Sequence, residues 1–198
     1  MINFKEDEKL NHLNHSSAHL LAQAVKRLYP NAKFWVGPVI DSGFYYDMDL
    51  GDVTLTEEDL EKIEKEMKKC SKEASDIVEI KLTKKEALDM FKDDPYKLDL
   101  LSNMEDNITA YKQREFIDLC RGGHVKNTKE LKHFKLIKVS GAYFKGDSKN
   151  KMLQRVYGVS FETEEDLKKY LEFLEEVKKR DHRKLGKELE LFMTSEYT

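Results

Sequence analysis

The spacing of apolar residues predicts two amphipathic helices, one near each end of the chain. Between residues 10 and 29, leucine, alanine and valine recur every three or four positions, as on the buried face of a helix, and Pro30 follows directly. A similar pattern runs over TEEDLKKYLEFLEEVKKR, residues 163–180. A third, more charged helix is predicted from Thr56, a residue suited to an N-cap, to about Ser75.

Short runs rich in β-branched and aromatic residues predict strands between these helices. They are FWVGPVI and FYYDMDL on either side of a glycine-containing turn, IVEIKL, ITAYKQ, EFIDLC, FKLIKVSGAYF and MLQRVYGVSF. TKKE at 83–86 fits a capping box that begins a further short helix. Together these elements predict an α+β fold, a largely antiparallel sheet packed with helices and followed by a C-terminal linker helix.

Composition excludes a membrane protein and favours the cytoplasm. Charged residues make up 37% and hydrophobic residues 39% of the 198 positions, and no apolar run is long enough to cross a bilayer. The start of the chain, MINFKEDEKL, lacks the apolar core of a signal peptide. The two cysteines, Cys70 and Cys120, are therefore expected to be reduced thiols.

Charge is distributed unevenly, although the net charge is only −3. The segment from Lys126 to Lys151 holds eight lysines against only Glu130 and Asp147. Two interpretations are open: a solvated face, or a basic stripe that contacts a phosphate backbone.

Two short motifs carry the candidate chemistry, HSSAH at 15–19 and CRGGH at 120–124. Residues four apart on a helix share a face, so His15 and His19 should project side by side. The paired glycines should form a tight turn that brings Cys120 near His124. The four side chains make a plausible tetrahedral zinc set. The alternatives are a merely polar helix start for the first motif, and a buried small thiol beside a surface histidine for the second.

Several longer stretches extend these motifs and resemble one family. HSSAHLLAQAV, GPVIDSGFYYDMDL, DLCRGGHV, GAYFKGDSKNKMLQRVYG and KRDHRKLGKELELF closely resemble bacterial threonyl-tRNA synthetases, in their amino-terminal editing domain and linker helix. The paired HxxxH and CxxxH motifs are also similar to the editing domain of alanyl-tRNA synthetases and its free-standing relatives. The resemblance covers nearly the whole chain.

The resemblance implies hydrolysis of serine wrongly attached to a threonine tRNA. Serine is smaller than threonine by one methyl group, and such a difference gives only roughly 1–3 kcal/mol of discrimination. A second pocket that admits serine and excludes threonine can then cleave the wrong ester.

The resemblance also assigns roles to individual residues. It implies that His15 and Lys97 position and activate the attacking water, with His19, Cys120 and His124 completing the catalytic pocket. It implies that Tyr46 and Asp118 bind the substrate, with Asp118 paired to the serine ammonium. A similar His/His/Cys/His set holds zinc in the alanyl relatives, whereas the threonyl family implies a pocket that works without metal, and we expect no metal here.

The resemblance divides the chain into residues 1–160, the editing domain, and residues 161–198, the linker helix and the start of a missing class II core. ATP and a separate zinc would belong to that core, so the chain is expected not to charge tRNA. It is expected to act on serine-charged tRNA, either as a synthetase fragment or as a free-standing editing protein. The full synthetase would be a homodimer, and this segment could be a monomer. Two other functions remain open: an RNA-binding module with a structural zinc clip, and a metal-dependent hydrolase of small esters.

Overall fold

A computed structural model describes the backbone of residues 3–194 and the side chains of residues 3–183. The chain divides into two compact units, Met1–Glu162 and Thr163–Thr198. In the second unit the described residues form one helix, α5 (Glu164–Thr194). This helix continues through the charged segment after Lys179, within the predicted C-terminal helix. The predicted α+β class, with mainly antiparallel strands and a C-terminal helix, is confirmed.

The larger sheet contains five antiparallel strands in the order β1-β3-β8-β7, with β2 paired to β3 as well. Their bounds are β1 (Lys33–Phe34), β2 (Val39–Ile40), β3 (Gly43–Asp49), β7 (His133–Tyr143) and β8 (Met152–Phe161). The predicted single strand FWVGPVI is therefore two short strands. Between them Gly37 passes over the ring of Tyr46, where a Cβ would lie 2.4 Å from that ring. The close approach interrupts regular pairing and covers Tyr46.

Two long helices pack on one another beside this sheet. α1 (Glu8–Leu28) begins at its N-cap Asp7 and contacts β3 and β8. α2 (Glu57–Lys72) begins at the capping box formed by Thr56 and Asp59, and it ends three residues before the predicted Ser75. The main hydrophobic core lies between these helices and the sheet, and includes Leu20, Leu21, Phe44, Met48, Ile63 and Met67.

A smaller three-stranded sheet, β4 (Ile77–Leu82), β5 (Ile108–Gln113) and β6 (Phe116–Leu119), is also antiparallel throughout. It carries two short helices, α3 (Lys84–Met90), which starts at the predicted capping box, and α4 (Pro95–Ser102). The apolar pattern did not predict α4. Its signal is local: the Asp94 side chain caps the helix and Pro95 occupies its first turn, a position that proline favours.

Side chains of α1 also face the smaller sheet. The ring of His19 lies against Phe116 of β6, and the amide of Gln113 on β5 donates to Gln23 at 2.8 Å. α1 therefore contributes side chains to both sheets, and its His15–His19 turn lies near the end of β6. Among the described residues, no helix is long and apolar enough to cross a membrane.

Candidate active site

The two short motifs meet in space. His15 and His19 lie one turn apart on α1, and Cys120 and His124 lie in the loop that follows β6. One nitrogen or sulfur atom from each of the four side chains lies within 4.8 Å of the others. Cys120 Sγ lies 3.2 Å from His15 Nε2 and 3.1 Å from His124 Nε2. Residues about a hundred positions apart therefore form one compact cluster.

The loop reaches this position because of its two glycines. Gly122 and Gly123 have φ values of +109° and +83°, in the region that side chains disfavour. A Cβ on Gly122 would lie 2.9 Å from Tyr111 Oη. The positive φ favours glycine at both positions, and a side chain at position 122 would also have to displace the Tyr111 hydroxyl.

Burial holds the cluster in an uncharged state near neutral pH. Burial lowers the pKa of His15, and burial together with the neighbouring His15 and Lys97 lowers that of His19 well below its usual value. Burial and the adjoining imidazoles lower the pKa of His124 to about 2. Burial raises the pKa of the Cys120 thiol to about 11. Neutral imidazoles can accept protons, so the cluster can supply a general base.

A closed ion-pair group lies behind the cluster. The Lys97 ammonium contacts Asp118 Oδ1, and the Tyr46 hydroxyl donates to Asp118 Oδ2. Lys97 Nζ also donates to the backbone carbonyl of Trp35 at 2.9 Å and to Tyr46 Oη at 3.2 Å. These two hydrogen bonds and the ion pair with Asp118 hold the ammonium among protein groups. All three side chains of this group are buried.

Asp118 joins this group to the histidines, since its Oδ2 lies 3.7 Å from His19 Nε2. All seven site residues expected from the sequence thus lie in one connected region. They are not equally available to a ligand. His15, Cys120 and His124 keep partial exposure, whereas Lys97, Asp118 and Tyr46 are buried and already paired with one another.

Three further side chains line the cluster and were not singled out from the sequence. Ser16 Oγ lies 3.1 Å from His124 Nδ1, and the ring of Tyr111 packs on His124 with centroids 4.5 Å apart. His12 lies one turn before His15, and a Cβ on Gly123 would be 3.3 Å from its ring. Weak sequence signals existed for two of them. Ser16 lies inside the HSSAH motif, and Tyr111 lies in the alternating pattern of strand β5.

The donor set also fits a zinc ion. In a tetrahedral zinc site with bonds of about 2.0–2.3 Å, neighbouring ligand atoms lie roughly 3.3–3.8 Å apart. The two sulfur–nitrogen distances here, 3.2 and 3.1 Å, are close to that range. His15, His19, Cys120 and His124 would be the ligands.

The lysines between 126 and 151 do not form a uniform basic face. Lys135 pairs with Glu64 at 2.9 Å, Lys145 with Asp99 at 2.6 Å, and Lys151 with Asp49 at 2.8 Å. Within this segment, five exposed lysines have no ion pair among the described residues: Lys126, Lys129, Lys132, Lys138 and Lys149. Lys126 is only two residues from His124, so part of this positive charge lies beside the cluster.

Comparison with known proteins identifies the class to which this region is related. Residues 108–157, which include the CRGGH loop, match the family described as the threonyl and alanyl tRNA synthetase second additional domain. This segment is therefore similar to a domain found in threonyl- and alanyl-tRNA synthetases.

Whole-chain similarity identifies the particular homologues, which are threonine–tRNA ligases. The chain is 53% identical over 193 residues to the enzyme of Acholeplasma laidlawii, and 56% identical over 193 residues to that of Anoxybacillus flavithermus. It is 53% identical over 196 residues to that of Thermotoga maritima. These alignments cover 96–98% of this chain and 30–31% of each relative. The chain thus spans about a third of the length of the ligases that it matches.

Proposed function

We propose that this chain is an editing deacylase that hydrolyses the ester between serine and a threonine tRNA. The observation that carries the proposal is the convergence of His15, His19, Cys120 and His124 in one partly open cluster. Its relation to threonine–tRNA ligases supports a tRNA substrate and a cytoplasmic role in translation. The aminoacylation core of a synthetase is not part of the proposed activity.

His15 is the proposed general base. Its ring is neutral near pH 7 because burial lowers its pKa, and it is partly exposed, so it can take a proton from a water that attacks the ester carbonyl. His19, Cys120 and His124 confine that water. The proton taken by His15 can then pass to the ribose oxygen that leaves, which balances the hydrolysis.

Lys97 is proposed to stabilise the developing negative charge through its field. Its ammonium already donates two hydrogen bonds and forms an ion pair with Asp118, so a direct hydrogen bond to the substrate competes with these contacts. Its charge nevertheless acts on the cluster, since Lys97 adds to the effect of burial and of His15 in lowering the pKa of His19. Asp118 and Tyr46 complete the proposed substrate pocket, and the serine ammonium would reach Asp118 only by displacing part of this group.

The tRNA backbone is proposed to contact the exposed lysines beside the cluster. Lys126, Lys129 and Lys132 carry positive charge that no ion pair neutralises in the described residues. Contacts between lysine and phosphate release counterions and weaken with salt. Three such contacts would orient the acceptor end without binding it tightly.

The direct test is deacylation of matched tRNA substrates by the purified chain. We expect seryl-tRNA to be hydrolysed roughly 10-fold or more faster than threonyl-tRNA, because one extra methyl group in a closed pocket is worth about 1–3 kcal/mol. The measurement is the rate of loss of labelled amino acid from threonine tRNA charged with either residue. Equal rates, or no hydrolysis of either, would contradict the proposal.

The compact His/Cys donor set favours one second candidate, an RNA-binding module in which zinc acts as a structural clip. A structural zinc contributes on the order of 10–16 kcal/mol to folding, so its removal would unfold the protein. For the deacylase we expect a chelator to leave both the melting temperature and the hydrolysis rate unchanged. Elemental analysis provides the second measurement. One zinc per chain together with unfolding in chelator would establish the clip instead.

A further inference from the structure

We propose that Ser16 is a positioning residue that sets opposite tautomers on His124 and His15 through an ordered chain of hydrogen bonds. In this series of hydrogen bonds, His124 carries its proton on Nε2 and His15 carries its proton on Nδ1. The proposal refines the proposed deacylase function, and its expected effect on kcat rests on that function. The tautomers themselves do not depend on any substrate.

The donor and acceptor roles in this series of hydrogen bonds are fixed at its first member, because a backbone N–H can only donate. The amide of Val125 donates to Ser16 Oγ at 3.0 Å. Ser16 is fully buried, and among the described residues the only other partner of its hydroxyl is His124 Nδ1, at 3.1 Å. The hydroxyl has one proton, and leaving it unpaired in a buried site would be costly. Ser16 therefore donates, and His124 Nδ1 accepts.

The remaining directions follow from neutral side chains. If Nδ1 of His124 accepts, its single ring proton is on Nε2, which points at Cys120 Sγ at 3.1 Å. The sulfur also accepts from the backbone amide of Gly122 at 3.4 Å. Its own S–H proton then has His15 Nε2 as its nearest acceptor, at 3.2 Å. His15 accepts at Nε2 and holds its proton on Nδ1.

The other side of His15 is consistent with this assignment. Its Nδ1 faces the glycine turn, 3.7 Å from the Cβ position of Gly123. In the proposed assignment, the Nδ1 proton is directed at the backbone of this turn. The basic lone pair of His15 is therefore on Nε2, inside the cluster, with the Cys120 thiol as its resting partner.

In this arrangement the Cys120 thiol donates to His15 when no substrate is bound. The S–H group has a second acceptor, the carbonyl oxygen of Gly122 at 3.8 Å. Rotation of the thiol toward Gly122 frees His15 Nε2 for the attacking water, and no bond to sulfur is made or broken. Ser16 acts only through His124, because it keeps the His124 proton directed at the sulfur.

The test is nitrogen NMR of the histidine rings in the chain with ¹⁵N-labelled histidine, after treatment with chelator, at pH 7 and without tRNA. We expect Nδ1 of His124 and Nε2 of His15 to give the signals of unprotonated nitrogens, and the other nitrogen of each ring that of a protonated one. A protonated Nδ1 on His124 would overturn the proposal. The result is independent of whether the protein hydrolyses seryl-tRNA, so failure here and failure of the deacylase function are separate outcomes.

The adjacent serine provides a matched control. Ser17 is also fully buried on α1, but its hydroxyl has no hydrogen-bond partner among the described residues. Ser16→Ala should populate both tautomers of His124 and lower kcat for seryl-tRNA by roughly 10-fold, in the range seen when a group that orients a functional histidine is removed. KM should stay within about twofold, because no substrate contact is lost.

Ser17→Ala should leave the tautomer, kcat and KM as in the parent. If Ser16→Ala kept the parental tautomer, or changed it without lowering kcat, Ser16 would not be a positioning residue.

Discussion

Replacing His15 by alanine should slow hydrolysis of seryl-tRNA by roughly 10²-fold or more, as expected when a positioned base is lost. The side chain is partly exposed and contributes little apolar area to the core, so the melting temperature should stay close to that of the parent. The measurement is single-turnover deacylation together with thermal unfolding. The rate and the melting temperature together distinguish a chemical role of His15 from a structural one.

His133→Ala is the matched control, because His133 is a half-exposed histidine on β7, outside the cluster. It should retain the parental rate. If His15→Ala hydrolysed seryl-tRNA as fast as this control, another group would have to be the base. Loss of rate accompanied by a large fall in melting temperature would indicate that His15 serves the fold.

Removing the charge of Lys97 should cost stability on the order of 3–5 kcal/mol. Lys97→Met keeps a long side chain but leaves Asp118, whose side chain is only 2% exposed, without its cation. A buried carboxylate without a partner is among the most destabilising changes known. Globular proteins are stable by only about 5–15 kcal/mol, so the loss would be a large fraction of the total. Chemical denaturation measures it directly.

Two further variants determine the origin of that cost. Lys145→Met breaks the half-exposed pair with Asp99 and should cost less than about 1 kcal/mol. Adding Asp118→Asn to Lys97→Met should recover part of the lost stability, because the unpaired charge is then gone. If Lys97→Met were as mild as Lys145→Met, the buried group would not be held together by charge.

Most of the fold could be predicted from the sequence where a local signal and the tertiary structure agree. The periodic apolar residues of α1 and the capping boxes at Thr56 and Thr83 identified their helices to within a few residues. The prediction of one continuous strand over FWVGPVI was wrong, because the strand pattern does not include the contact between Gly37 and Tyr46. That contact is a property of the packed structure. α4 was not predicted because its apolar periodicity is weak, although its capping residue is a local signal in the sequence.

The sequence indicated which side chains form each motif of the candidate site, but not how they are arranged with their neighbours. Spacing places His15 beside His19, and paired glycines bring Cys120 toward His124, so both half-sites follow from local rules. Nothing local shows that the Lys97 ammonium donates two hydrogen bonds to protein groups and forms an ion pair with Asp118. Nor does the sequence show that Ser16, between the two histidines, contacts a ring 108 positions away. Such pairings exist only after distant elements pack.

The long separation between the two halves of the cluster has a kinetic consequence. Cys120 and His15 are 105 positions apart, one attached to the smaller sheet and the other to the helix that packs on the larger sheet. Closing so large a loop carries an entropic cost that is recovered only when both layers have docked. A refolding chain could regain its helices and its locally paired strands, such as β7 with β8, while the cluster was still unformed. Recovery of hydrolysis would then follow recovery of local secondary structure, and activity would report the docking of distant elements.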